Sequence, residues 1–160
     1  MQVLDASAII HGWDNYPPDQ FPKLWEWLAQ LMAENELSMA SIALEEVGHV
    51  SPDCASWLKK ETEINVIDVN NRILKTALSI QNLLGIKNDR YGGGVDENDI
   101  FIIATAASLN ATLISNESKQ LSLPKLLANY KIPAVCAMPT VGVTCINYLE
   151  FLKRSRKIFA

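Results

Sequence analysis

The stretch Ile100 to Leu109 reads IFIIATAASL and is apolar nearly all round. A helix of that composition has to be buried on most of its faces. Asn110 ends it, and the short run Ala111 to Ser115 follows as a strand. The rest of the chain repeats this alternation. Met1 to Leu4 and Ile64 to Val69 read as strands, and Ile132 to Val135 and Val143 to Ile146 as two more. Between them, Leu24, Trp25, Leu28, Leu31 and Met32 recur at helical spacing over Pro22 to Glu34, and Ile73, Ala77, Ile80 and Leu84 do so from Asn71 to a stop at Gly85. Ser41 is placed to cap a helix through Ile42, Leu44 and Val47, Pro52 to open another, and Asn147 to cap the last one with Glu150 reaching back. A further helix fits Pro124 to Tyr130, and Ile86 to Gly94, ending in three glycines, reads as a mobile loop. Strands alternating with helices, with no repeat, predict one α/β domain over residues 1–160: a three-layer sandwich around a mostly parallel central sheet.

Composition narrows the class of function. A chain of 160 residues can bury roughly 70% of its unfolded surface, so it needs no staple to hold its fold. Cys54, Cys136 and Cys145 are odd in number and form no CxxC pair, and His11 and His49 are the only histidines. A zinc site of the Cys/His type lacks its ligands, and reduced thiols in a cytoplasmic protein are expected. No basic leader precedes an apolar run, and no apolar stretch approaches the ~20 residues that cross a bilayer, so no membrane association is expected. The net charge of −4 argues against a broad phosphate-binding face. The cluster Lys153, Arg154, Arg156 and Lys157 reads first as a solvated last helical turn. There is no GxxxxGK[ST], and Gly92-Gly93-Gly94 lacks GxGxxG spacing, so a nucleotide cradle is not expected.

The acids are more informative. In a parallel sheet, ligands bind outside the carboxyl ends of the strands. Asp5 ends the first strand, Glu117 follows the Ala111–Ser115 strand, Asp99 opens the buried helix, and Glu46 lies on the helix after Ser41. Singly, each has an ordinary reading as a turn, cap or surface residue. Gathered at one sheet edge, such carboxylates suit hard cations, which relieve phosphate charge and supply a nucleophilic water. Neighbouring helical residues point about 100° apart, so only one of Glu45 and Glu46 can face such a site. Trp13 and Tyr16, in a Pro-rich segment beside the first motif, are candidates for stacking on bases, with His11 in the same loop and His49 at a helix end.

Three segments resemble a known family. Val3-Leu4-Asp5-Ala6-Ser7-Ala8-Ile9-Ile10, Ser41-Ile42-Ala43-Leu44-Glu45-Glu46-Val47 and Asp99-Ile100-Phe101-Ile102-Ile103-Ala104-Thr105-Ala106 look, in order and spacing, like the motifs of the PIN-domain family, which includes the VapC-type toxin nucleases. Trp25-Glu26-Trp27-Leu28 and Val143-Thr144-Cys145-Ile146-Asn147 look like a PIN-related subgroup catalogued as a domain of unknown function. In place of the family's Thr-x-Asp segment this chain has Ser115-Asn116-Glu117. The resemblance implies a metal-dependent endoribonuclease, commonly a homodimer and often a toxin held by an antitoxin. It implies that Asp5, Asp99 and Glu117 bind Mg²⁺ or Mn²⁺, that Glu46 binds it or orients the water, and that Ser7 and Ser115 support neighbouring carboxylates. A scaffold that binds RNA or a protein partner without cutting is the second expectation.

Overall fold

The computed structural model describes all residues, 1–160. Five short strands, β1 (Gln2–Leu4), β2 (Leu37–Ala40), β3 (Asn65–Ile67), β4 (Thr112–Ile114) and β5 (Cys145–Ile146), form one sheet in the order β3-β2-β1-β4-β5. Every pairing is parallel. The helices are α1 (Ala6–Asn15), α2 (Pro22–Ala33), α3 (Ser41–Val50), α4 (Pro52–Lys60), α5 (Asn71–Leu83), α6 (Glu97–Ser108), α7 (Ile132–Ala137) and α8 (Tyr148–Ser155), and they flank the sheet. The expected α/β architecture is present, and its sheet is wholly parallel. No helix is long and apolar enough to cross a membrane.

Helix α6 sits where its composition demands. Ile100, Ile102, Ile103, Ala104, Thr105 and Ala106 are all buried, and the helix packs on α3, α5, α7 and three strands. Thr105 is tolerated because its hydroxyl donates to the Phe101 carbonyl. Three helices end in the same closure, with Asn35, Gly85 and Asn110 in the left-handed region. Behind them Glu36, Ile86 and Ala111 donate N–H groups to Leu31, Gln81 and Ala106. Asn70 and Asn147 cap α5 and α8 through their side chains, whereas Ser41 is the first residue of α3 and makes no cap bond. Glu150 turns to Arg154 instead of closing a reciprocal box with Asn147.

One strand had no expectation in the sequence, and three local expectations are corrected. Leu37–Ala40 is a central strand although Leu-Ser-Met-Ala carries no β-branched residue; pairing with β1 and β3 and complete burial hold it extended. Ile132–Val135 is not a strand but the start of α7, with Pro133 in its first turn and Ile132, Val135 and Cys136 turned inward. Pro124–Tyr130 holds only one tight turn, Leu127–Asn129. Gly92 and Gly94, read as loop glycines, are sites of close backbone approach. A Cβ on either would overlap Asn129 or Tyr130, and Gly93 N–H donates to Asn129 Oδ1 at 2.9 Å.

Candidate functional site

From β1 the chain steps outward through β2 to β3, then returns to the other side of β1 to lay down β4 and β5. The direction of winding therefore reverses between β1 and β4, and the crevice at their carboxyl ends is the switch point where such sheets bind ligands. Asp5 leaves β1 there, and Ser115 and Glu117 leave β4 beside it. A helix that feeds a parallel strand runs antiparallel to it, so α6 brings its N-terminus, with Asp96 and Asp99, to the same edge. Helix α3 starts directly at the end of β2 and contributes Glu46.

Asp5 is 3% exposed and held by a hydroxyl network. Ser7 Oγ donates to Asp5 Oδ2 at 2.6 Å and Ser115 Oγ donates to the same oxygen at 2.8 Å. The serines also serve the backbone: Asn116 N–H donates to Ser7 Oγ and Glu117 N–H to Ser115 Oγ, at 2.9 and 3.2 Å. Asn116 Oδ1 in turn accepts the Tyr148 N–H at 2.8 Å, which ties the end of β4 to the start of α8. Burial raises the Asp5 carboxyl above its ordinary value; the two hydroxyls and the first amides of α1 pull it partly back, although no regular capping bond closes.

Asp99 and Asp96 form a reciprocal capping box: Asp96 Oδ1 accepts the Asp99 N–H at 2.8 Å, and Asp99 Oδ2 accepts the Asp96 N–H at 3.0 Å. Burial is the main cause that pushes the Asp99 carboxyl up to about 7, reinforced by the charges of Asp96, Asp5 and Glu117. Glu46 accepts from Asn98 Nδ2 at 3.1 Å. Its carboxyl is also raised, first by burial and then by Asp5, Asp96 and Glu117. Glu45 is exposed, so Glu46 is the residue that faces the cleft. Asp96 and Asn98 are additions that sequence reasoning did not assign to the site. Their signal was the spacing Asp96-x-x-Asp99, which reads equally well as a cap.

No lysine or arginine neutralises these acids. The chain's three ion pairs lie elsewhere, Met1–Glu36, Lys23–Glu26 and Arg154–Glu150. The donor set of carboxylate oxygens without a cation fits a hard divalent ion. As the side chains stand, no three His, Cys, Asp or Glu come close enough to grip one ion.

Other sequence candidates lie elsewhere. Trp13 and His11 are in α1, not a loop. Trp13 packs edge-on against Trp25, with ring centroids 5.2 Å apart, and Tyr16 stacks on Tyr148 at 6.0 Å. Both aromatics belong to the packing around α1 rather than to a free stacking platform. Arg154 and Ser155 line a hollow with Met1, Gln2 and Thr112, at the amino ends of the strands, so the C-terminal cations sit at the far end of the sheet from the acids.

A family model described as a domain of unknown function, DUF4411, matches residues 2–159. The chain belongs to the DUF4411 family. No curated protein matches its sequence. Solved structures resemble this DUF4411 chain along nearly its whole length. The VapBC2 complex of Rickettsia felis, bound to DNA from its promoter, matches with a TM-score of 0.58 at 18% identity, covering 91% of this chain and 97% of that one. DNA-bound VapBC of Salmonella typhimurium gives 0.59 at 15%, covering 92% and 99%. FitAcB of Neisseria gonorrhoeae gives 0.57 at 13%, covering 93% and 99%. At these identities the likeness establishes the fold: this DUF4411 protein is PIN-like.

Proposed function

We propose that the chain is a metal-dependent endoribonuclease of PIN type, with Asp5, Glu46, Asp99 and Glu117 as its metal-binding and catalytic acids. One observation carries the reading. Carboxylates from four separate elements act on one another at the switch point of a parallel sheet, two of them are raised by burial and mutual repulsion, and no cation offsets them. A fold maintains such a repulsive arrangement at a cost in stability, which is the usual signature of a functional site.

Bound Mg²⁺ or Mn²⁺ would supply charge relief at the phosphate and a nucleophilic water. Asp5, fixed by Ser7 and Ser115 at Oδ2, keeps Oδ1 free of side-chain donors and is the rigid anchor. Asp99 holds a proton near neutrality and must release it to act as a ligand, so affinity rises with pH. Glu46 and Glu117, on longer stems, complete the set, Glu46 being positioned by Asn98. The named two-component complexes of similar fold support an antitoxin partner as part of the same proposal; a homodimer and a toxin's role in the cytoplasm enter it only as what the family resemblance implies.

The test is cleavage of RNA in Mn²⁺ by the parent chain and by Asp5→Asn and Asp99→Asn. Loss of cutting in both, with the fold intact by circular dichroism, is expected; undiminished cutting in either variant or in excess chelator overturns the mechanism. The wide spacing of the acids favours one rival, a PIN-like scaffold that binds RNA or protein without cutting. A Mn²⁺ titration separates the two, because an ion bound only by the native state raises the melting temperature, by about 2.7 kcal/mol of stability at a hundredfold excess over Kd. A flat titration supports the scaffold.

A further inference from the structure

An acidic cleft repels the phosphates it is meant to cut, and something on the surface must offset that repulsion. From Ser118 to Leu149 there is no aspartate or glutamate, and the segment carries Lys119, Lys125 and Lys131; the rest of the chain has eleven cations against eighteen acids. This acid-free stretch begins one residue after Glu117, so the charge asymmetry starts at the lip of the cleft.

Hydrogen bonds lock it there. Gln120 Oε1 accepts the Lys131 N–H at 2.9 Å and Gln120 Nε2 donates to the Asn129 carbonyl at 3.1 Å, which brings both ends of the segment together. Asn129 and Tyr130 then brace the turn that leads into Asp96 and Asp99. Gly93 N–H donates to Asn129 Oδ1 and Val95 N–H to the Tyr130 carbonyl, each at 2.9 Å. The segment thus bridges the Glu117 side of the cleft and the Asp96–Asp99 side. Lys119, two residues past Glu117, shares a groove with Cys145 of β5, the strand that pairs with β4. Beside Lys119 lies a groove of about 410 Å³ with a floor of Leu123, Pro133, Ala137 and Val143. It is far too small for a duplex and of a size for one unstacked base.

We propose that residues 118–131, through Lys119, Lys125 and Lys131, form the seat for a single-stranded RNA backbone, with one base lodged against the apolar groove next to the cleft. The proposal rests on the ribonuclease reading for its substrate class. The Lys119 and Lys125 side chains are exposed, and the half-buried Lys131 enters the fold's hydrogen bonding only through its backbone, so alanine at all three breaks no side-chain hydrogen bond or ion pair.

The experiment measures binding of a fluorescein-labelled single-stranded oligoribonucleotide by anisotropy, with Ca²⁺ in place of Mg²⁺ or Mn²⁺, across a range of KCl concentrations. Replacing all three lysines by alanine is expected to make the slope of log K against log[salt] shallower by about 2, at roughly 0.7 per phosphate contact on a single strand, and to weaken binding on the order of tenfold at low salt. Replacing Lys153, Arg154, Arg156 and Lys157 together is expected to change neither. An unchanged slope in the triple variant overturns the seat and leaves the strip to a protein partner. A slope lost only in the C-terminal variant overturns it equally. Binding is read apart from cutting: RNA held through the strip but never cleaved in Mn²⁺ sinks the nuclease reading and keeps the seat, while cleavage indifferent to the triple variant does the reverse.

Discussion

Asp99→Asn is expected to make the metal-free protein more stable, by an amount that grows with pH. Moving an acid from its ordinary 3.8 to about 7 corresponds to at most ~4 kcal/mol, at about 1.4 kcal/mol per pH unit. Asp99 is only partly buried and shares its titration with neighbouring acids, so solvent screening roughly halves this to ~2 kcal/mol. The sign follows from linkage. The fold binds this proton more tightly than the unfolded chain does, so the contribution is fully present below about pH 4 and is lost as pH rises through about 7. Asparagine never ionises, yet its Oδ1 can still accept the Asp96 N–H and keep the capping box. The variant should therefore melt ~4–8 °C above the parent at pH 8, a gap that closes toward pH 4. Thermal melts followed by circular dichroism in chelator at the two pH values read it directly. A variant that melts below the parent at pH 8, or by an equal margin at both pH values, refutes the reasoning. Adding Mn²⁺ at pH 8 should then raise the parent and leave the variant nearly unmoved.

Other consequences follow from single contacts. Ser115→Ala removes one of two hydroxyls that hold Asp5 Oδ2, and Mn²⁺ affinity at pH 8 should fall on the order of tenfold, given ~1.5–3 kcal/mol per hydrogen bond to a charged group; unchanged affinity in a calorimetric titration would show that this hydroxyl does not hold the anchor. Glu46→Gln should slow cleavage on the order of 10²-fold while Glu45→Gln leaves it intact, and equal losses would contradict the orientation of α3. Gly94→Ala places a Cβ 2.7 Å from the Tyr130 carbonyl carbon, whereas Gly93→Ala meets nothing closer than 3.8 Å. The first should cost ~2 kcal/mol in chemical denaturation and the second under ~0.5 kcal/mol, and similar costs would mean that the loop is not pinned to residues 128–130.

Much of this was legible in one dimension. The buried character of α6, the asparagine and glycine stops and the abrupt end of β1 at Asp5 are local signals with local causes: a helix apolar all round has nowhere else to go, and asparagine and glycine tolerate the left-handed turn that a helix exit requires. Glu46 over Glu45 rested on resemblance alone until the packing of α3 turned one of them toward Asn98. The errors came where tertiary pairing outweighs propensity. Leu37–Ala40 becomes a strand only because β1 and β3 lie on either side, and Ile132–Val135 becomes a helix because Pro133 opens a turn that packs on α6.

Which acids share one cleft was a property of strand order, and strand order is not written at any single position. The chain by itself determined that several carboxylates would stand at the ends of buried elements. Only the reversal of winding between β1 and β4 brought Asp5 beside Glu117 and set Asp96 and Asp99 opposite them. The raised carboxyls are products of that closure, because desolvation and charge repulsion depend on what lies near in space, not on what lies near in sequence.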